Sequence, residues 1–183
     1  MLRPALALLL ALSSATAAPA DPPQIPVCSA PFGRLLADSV FRAYPVREAP
    51  RRTSWAAPSV NTGQARLYRT VIREEAKLGP DFAGHYKLVR IGCGAATTCI
   101  AIADAATGKV TFPPNLRVAT ALLFDTGQVN VETLNYRRNS RLLIVAGSPN
   151  EDERRTGLSY YLWGAGKLRL VRFVPAATLC RMR

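Results

Sequence analysis

With 183 residues, 49% of them hydrophobic and 20% charged, the chain is long enough to bury one genuine core and too short to divide into several. Its formal net charge is +12, and 20 of its 24 basic residues are arginine. Scatter along the chain, with pairs at Arg51-Arg52, Arg137-Arg138 and Arg154-Arg155 in expected loops, argues against a polybasic tail; it leaves either an ordinary solvated surface or a folded face that meets an anionic partner.

Met1 to Ala20 reads as a secretory signal: Arg3 makes the positive n-region, Leu6 to Leu12 the apolar run, and Ala15-Thr16-Ala17, or else Ala18-Pro19-Ala20, a small-residue cleavage site. Loss of Arg3 would take the charge from +12 to +11. The apolar run is too short to cross a bilayer, and no later stretch approaches the roughly 20 apolar residues that a spanning helix needs. The expected address is periplasmic or secreted, with no membrane span in the mature chain and no nucleic acid as partner.

Residues 21–62 are expected to be extended or irregular. They include the Pro-rich Asp21 to Pro26 and a short helix from Phe32 to Tyr44 that must end by Pro45. Residues 63–183 form the expected single domain. Its best helix is Gln64 to Leu78, with Leu67, Tyr68, Val71, Ile72 and Leu78 on one side and Arg66, Arg69, Arg73 and Lys77 opposite. Gly79 and Pro80 stop it. Glu75 falls near the middle of the apolar side, where a carboxylate needs a partner, an arginine being the expected one, or else a tuned role in a pocket.

Beyond the helix the pattern changes to period two. Tyr86 to Ile91, Cys99 to Asp104, Val110 to Phe112, Val129 to Leu134, Arg141 to Ala146, Ser159 to Trp163 and Leu168 to Val174 read as strands, separated by turn residues at Gly92 to Thr98, Ala105 to Gly108, Gly147 to Gly157 and Gly164 to Gly166. Leu142 to Val145 is apolar on both faces, as a covered central strand should be. Ile100 and Ile102 alternate with Ala101 and Ala103, so a helix can approach the small-residue face closely. The expected class is α+β: an antiparallel, meander-like sheet of five to seven strands, one main amphipathic helix on a face, and disulfide staples.

Four cysteines in an exported chain argue for two disulfides, in one of three pairings. Cys93 with Cys99, flanking a Gly-rich segment, leaves Cys28 with Cys180. On the loop-entropy model the bridges stabilise by about 2.5 and 5 kcal/mol. The spacings supply neither the close pairs of a zinc site nor a C-x-x-C redox motif, so no metal and no cofactor is expected.

Asp104 to Lys109 lacks the Gly and the Ser or Thr of a phosphate loop. It fits a hairpin turn in which Asp104 accepts turn amides and Gly108 takes a positive φ. Tyr161 and Trp163 share one strand face, which suits core packing. His85 is the one conventional general base, with Glu75, Asp81 and Asp104 as the acids that could orient it. No complete catalytic motif accompanies it.

The segments FRAYPV, YRTVIREEAKLGPDFAGHY, GCGAATTC, DAATGKV and NSRLLIVAG resemble a family of uncharacterised exported proteins of Gram-negative bacteria. The resemblance spans roughly Phe41 to Trp163, its most distinctive part being G-P-[DN]-F-A-G-H-Y. It implies a periplasmic or secreted address and carries over no catalytic residue. The functional expectation is a non-enzymatic binding or interaction module for an anionic envelope component, bound through Arg66, Arg69, Arg73 and Lys77. The alternative is a small hydrolase using His85 with a nearby carboxylate.

Overall fold

The computed structural model describes residues 27–28, 32–46, 54–122 and 131–181. The stretch read as a secretory signal, Met1 to Ala20, and the Pro-rich Asp21 to Pro26 lie outside the described residues. In chain order the elements are β1 (Val27–Cys28), α1 (Phe32–Leu35), α2 (Asp38–Arg42), α3 (Gly63–Leu67), α4 (Arg69–Lys77), β2 (Tyr86–Gly94), β3 (Thr97–Asp104), β4 (Val110–Thr111), β5 (Val118–Ala121), β6 (Leu134–Tyr136), β7 (Leu142–Pro149), a 3-10 turn (Glu153–Arg155), β8 (Gly157–Gly164), β9 (Lys167–Pro175), α5 (Ala176–Leu179) and β10 (Cys180–Arg181).

Eight strands form one sheet in the order β2-β3-β5-β7-β8-β9, with β4 beside β3 and β6 beside β7; every pairing is antiparallel. The sheet is larger than the five to seven strands expected, because β5 is an additional strand. It pairs with β3 at Thr97–Cys99 and with β7 at Gly147–Pro149. Several helices, all short, replace the single main helix, so the sheet dominates the fold.

Alternation on the strands sorts side chains into separate cores. Leu143 and Val145 join Ile100, Ile102, Tyr161 and Trp163 on one face, while Leu142 and Ile144 pack with Phe32, Phe41 and Tyr160 on the other. Ala101 and Ala103 face Ile72 of α4, so the small side chains of β3 admit the helix. Segment 32–46 contributes Phe32 and Phe41, both fully buried.

The sheet curls. Tyr86 of β2 and Trp163 of β8 are separated by three intervening strands, about 19 Å in a flat sheet. Yet their ring centroids lie 5.2 Å apart. Register shifts at Gly92–Gly94 and Tyr160–Tyr161 are the bulges that help a sheet bend. One end of the curl is where β2 begins and β8 ends.

The helix departs from expectation in two ways. It is divided at Tyr68 (φ −103°, ψ 18°), and it is turned. The inward residues are Ala65, Tyr68, Ile72, Glu75 and Ala76, whereas Leu67 is 77% and Leu78 75% exposed, and Val71 is exposed as well. At 100° per residue, the buried arc lies about 60° from the middle of the apolar arc. Two features of the sheet explain the turn: the alanine face of β3, and a lysine on β2 that pairs with Glu75. Gly79 (φ 77°) caps the helix as expected.

Candidate functional site

The segment Gly79 to Tyr86 folds as a tight strap between α4 and β2. The amides of Asp81 and Phe82 donate to the Tyr86 carbonyl, and the Tyr86 amide donates back to Phe82. Ala83 and Gly84 take left-handed conformations (φ 43° and 89°), exposing two amides that donate to the carbonyls of Ser140 and Arg138. Ser140 is itself buried; its hydroxyl donates to the Phe41 carbonyl and accepts from the Leu142 amide. Phe82 drops into the core against Tyr136 and Trp163. This arrangement delivers His85 to the open end of the curled sheet.

There His85 Nε2 lies 3.5 Å from Asp104 Oδ1, and its ring sits 4.3 Å from that of Tyr86. Its Nδ1 is buried and has no partner among the described residues. Asp104 Oδ1 also accepts from the amides of Ala106 (2.8 Å) and Thr107 (3.3 Å), and Gly108 (φ 79°) closes the turn. A Cβ on Gly108 would collide with the Ala57 carbonyl, so this turn is a fixed bracket behind the histidine. A cleft of about 280 Å³ opens in front, lined by Val46, Ala83, His85, Tyr86, Arg141 and Trp163 together with Gly164 and Ala165. Among the described residues no Ser, Thr or Cys lines it. Burial raises the Tyr86 phenol above its ordinary value, opposed by the hydrogen bond from Trp163 and reinforced by the negative charge of Asp104.

Glu75 and Asp81 do not reach this cleft. Both are drawn to Lys87, whose Nζ lies 2.7 Å from Asp81 Oδ2 and 3.2 Å from Glu75 Oε2. Lys87 is only 7% exposed. Asp81 Oδ1 accepts from the Leu88 amide, and Tyr136 donates its hydroxyl to Oδ2 at 3.4 Å. Burial, then the Asp81 charge, pushes the Tyr136 phenol up to about 12, with Arg90 opposing. The cluster ties α4, the strap, β2 and β6 together. Glu75 therefore has the structural ion pair expected for it, with a lysine in place of an arginine. Lys87 escaped the sequence reading, although its phase was a signal: it alternates with Val89 and Ile91, which face the helix.

Arg66, Arg69, Arg73 and Lys77 are all exposed. Lys77 pairs with Glu74 at 2.7 Å, and Arg69 donates to the Arg66 carbonyl; Arg66 and Arg73 have no acidic partner among the described residues. Cys93 and Cys99 form a disulfide across the β2–β3 hairpin, with Cα atoms 5.8 Å apart. The strands run up to Gly94 and Thr97, so the turn is shorter than the Gly92 to Thr98 expected. Cys180 is disulfide-bonded and lies opposite Cys28 in the β1–β10 register; the Cys28 side chain falls outside the described residues.

Fold and site together define a curled antiparallel sheet with a histidine–aromatic–arginine cleft at one end and a basic helix on its flank. No protein-family model, curated protein or solved structure matches the chain.

Proposed function

We propose that this protein is a non-enzymatic binding module of the periplasm or cell exterior that docks an anionic envelope component on the outward face of α3 and α4. The observation that carries this reading is the exposed row Arg66, Arg69, Arg73 and Lys77, of which Lys77 alone has a carboxylate partner among the described residues. The row stands on a firm base, because Ile72 is fully buried and Glu75 is paired to Lys87. A net charge of +12, or +11 once the leader with Arg3 is removed, adds long-range attraction to the same kind of partner. A disulfide suits an oxidising compartment, in keeping with the leader-like N-terminus.

The hydrolase alternative has less support. Only Asp104, of the three candidate acids, lies beside His85. Glu75 and Asp81 are both paired to Lys87, and no Ser, Thr or Cys lines the cleft among the described residues.

Retention on immobilised heparin, as a model polyanion, tests the proposal. Replacing Arg66, Arg69, Arg73 and Lys77 together with glutamine should move elution to clearly lower salt, with the circular dichroism spectrum unchanged. Elution at the wild-type salt concentration would count against the helix face.

A further inference from the structure

The cleft in front of His85 has no part in the docking face on the helix, and its chemistry differs. We infer that it is a binding site for a small organic anion with a flat apolar body, a carboxylate or phosphate ester whose head group is gripped by Arg141, with Arg138 adding positive charge from the adjoining depression.

The two arginines are held in a way that suits this task. Arg141 donates its Nε–H to the Pro45 carbonyl at 3.2 Å, and Arg138 donates its Nε–H to the Gly84 carbonyl at 3.4 Å. Each guanidinium is therefore anchored at its inner edge, and its terminal nitrogens have no acceptor among the described residues. An arginine fixed in this manner loses less freedom on gripping an anion and can present two parallel donors. Arg137, the residue before Arg138, borders the same depression but is committed to the fold: its Nε pairs with Asp38 and its guanidinium lies over Phe41. The contrast separates arginines that hold the fold from those left open.

The walls supply the remainder of the recognition. Arg141 lines the cleft with Tyr86 and Trp163, whose rings meet edge to face at 77°. Ala83, Gly164 and Ala165 complete the lining with small residues. Arg138 lines an adjoining depression of about 510 Å³ that shares Val46 with the cleft. No Asp or Glu lines either one among the described residues. Asp104, the nearest acid, sits behind His85 and is occupied by turn amides. A cleft near 280 Å³ lies at the small end of ligand sites, so the ligand is a single-ring molecule rather than a polymer. The open end of a curled sheet is also a common place for such sites.

The test is an amide NMR titration of the intact disulfide-bonded protein with phenyl phosphate, benzoate, inorganic phosphate and phenol. The inference predicts saturable shifts from phenyl phosphate or benzoate at residues 84–86, 138–141 and 163–165, at least tenfold weaker binding of inorganic phosphate, and none of phenol. The tighter of the two aromatic anions identifies the head group. Arg141→Lys, which keeps the charge and loses the fork, should weaken binding about tenfold, and the helix variant lacking Arg66, Arg69, Arg73 and Lys77 should bind as wild type does. Shifts on α4 instead, equal affinity for inorganic phosphate, or no saturable shift would overturn the inference. If Arg141→Lys fails to fold, the wild-type shift map decides alone. Heparin retention reads only the helix face, so the two proposals fail separately.

Discussion

Two charged regions lie on either side of the strap from Gly79 to Tyr86, and they use charge in opposite ways. On the α4 side, Lys87 is buried between Glu75 and Asp81, with Tyr136 donating to the latter; every group is answered by another. On the cleft side, Arg138 and Arg141 are each fastened by one nitrogen to a backbone carbonyl and have no other acceptor among the described residues. The closed cluster stabilises the fold, whereas the open pair leaves donors for something outside the chain. Proximity to a distinctive segment therefore says little about function until each charge has been traced to its partner.

Substitutions should separate these roles. The largest effect is expected at Lys87→Ala, which leaves two carboxylates facing each other beside the core. Urea denaturation should show a loss of about 3 kcal/mol, the low end for a broken buried pair because both carboxylates keep some contact with solvent. A smaller effect should appear with alkali. The Tyr136 phenol is raised from 10.0 to about 12 in the folded protein. The folded state thus holds its proton more tightly, and the stabilisation is present below pH 10 and lost as pH rises through about 12. Tyr136's share of the drop, discounted for its contact with solvent, should be on the order of 2 kcal/mol, and Tyr136→Phe should remove that share, leaving the parts due to Tyr86, Tyr160 and Tyr161. Arg141→Gln, at the open site, should cost under about 1 kcal/mol, since it removes one hydrogen bond to a carbonyl. Least of all, Leu67→Gln on the outer face of the helix should stay within about 0.5 kcal/mol, as thermal melts can check. A large loss there would mean that the helix is not turned as described.

Much of the sheet was legible because its signals are local. The doubly apolar Leu142 to Val145, the Ile–Ala alternation of β3, the stops at Gly79 and Gly108, and the Cys93–Cys99 pair each follow from a few adjacent residues. What escaped depends on distant ones. Val118–Ala121 is a four-residue strand with two alanines, and it exists because β3 and β7 both present free edges to it. The division of the helix at Tyr68, and its rotation away from Leu67 and Leu78, answer to the alanine face of β3 and to Lys87, neither visible in the helix itself. The cleft is more remote still: His85, Arg141 and Trp163 come together only when the sheet curls. Of the three acids proposed around the histidine, pairing with Lys87 removes Glu75 and Asp81, and only Asp104 stays beside it.

The most direct measurement of the central claim, that open charge binds and closed charge stabilises, is the salt dependence of heparin affinity in two variants. Removing Arg66, Arg69, Arg73 and Lys77 together should lower the slope of log affinity against log salt by about three, because each of the four lost contacts accounts for roughly 0.7 to 0.9 of a released counterion. Lys87→Met, examined where it is still folded, should leave that slope unchanged. An unaltered slope in the helix variant, or an equal fall with Lys87→Met, would contradict the account.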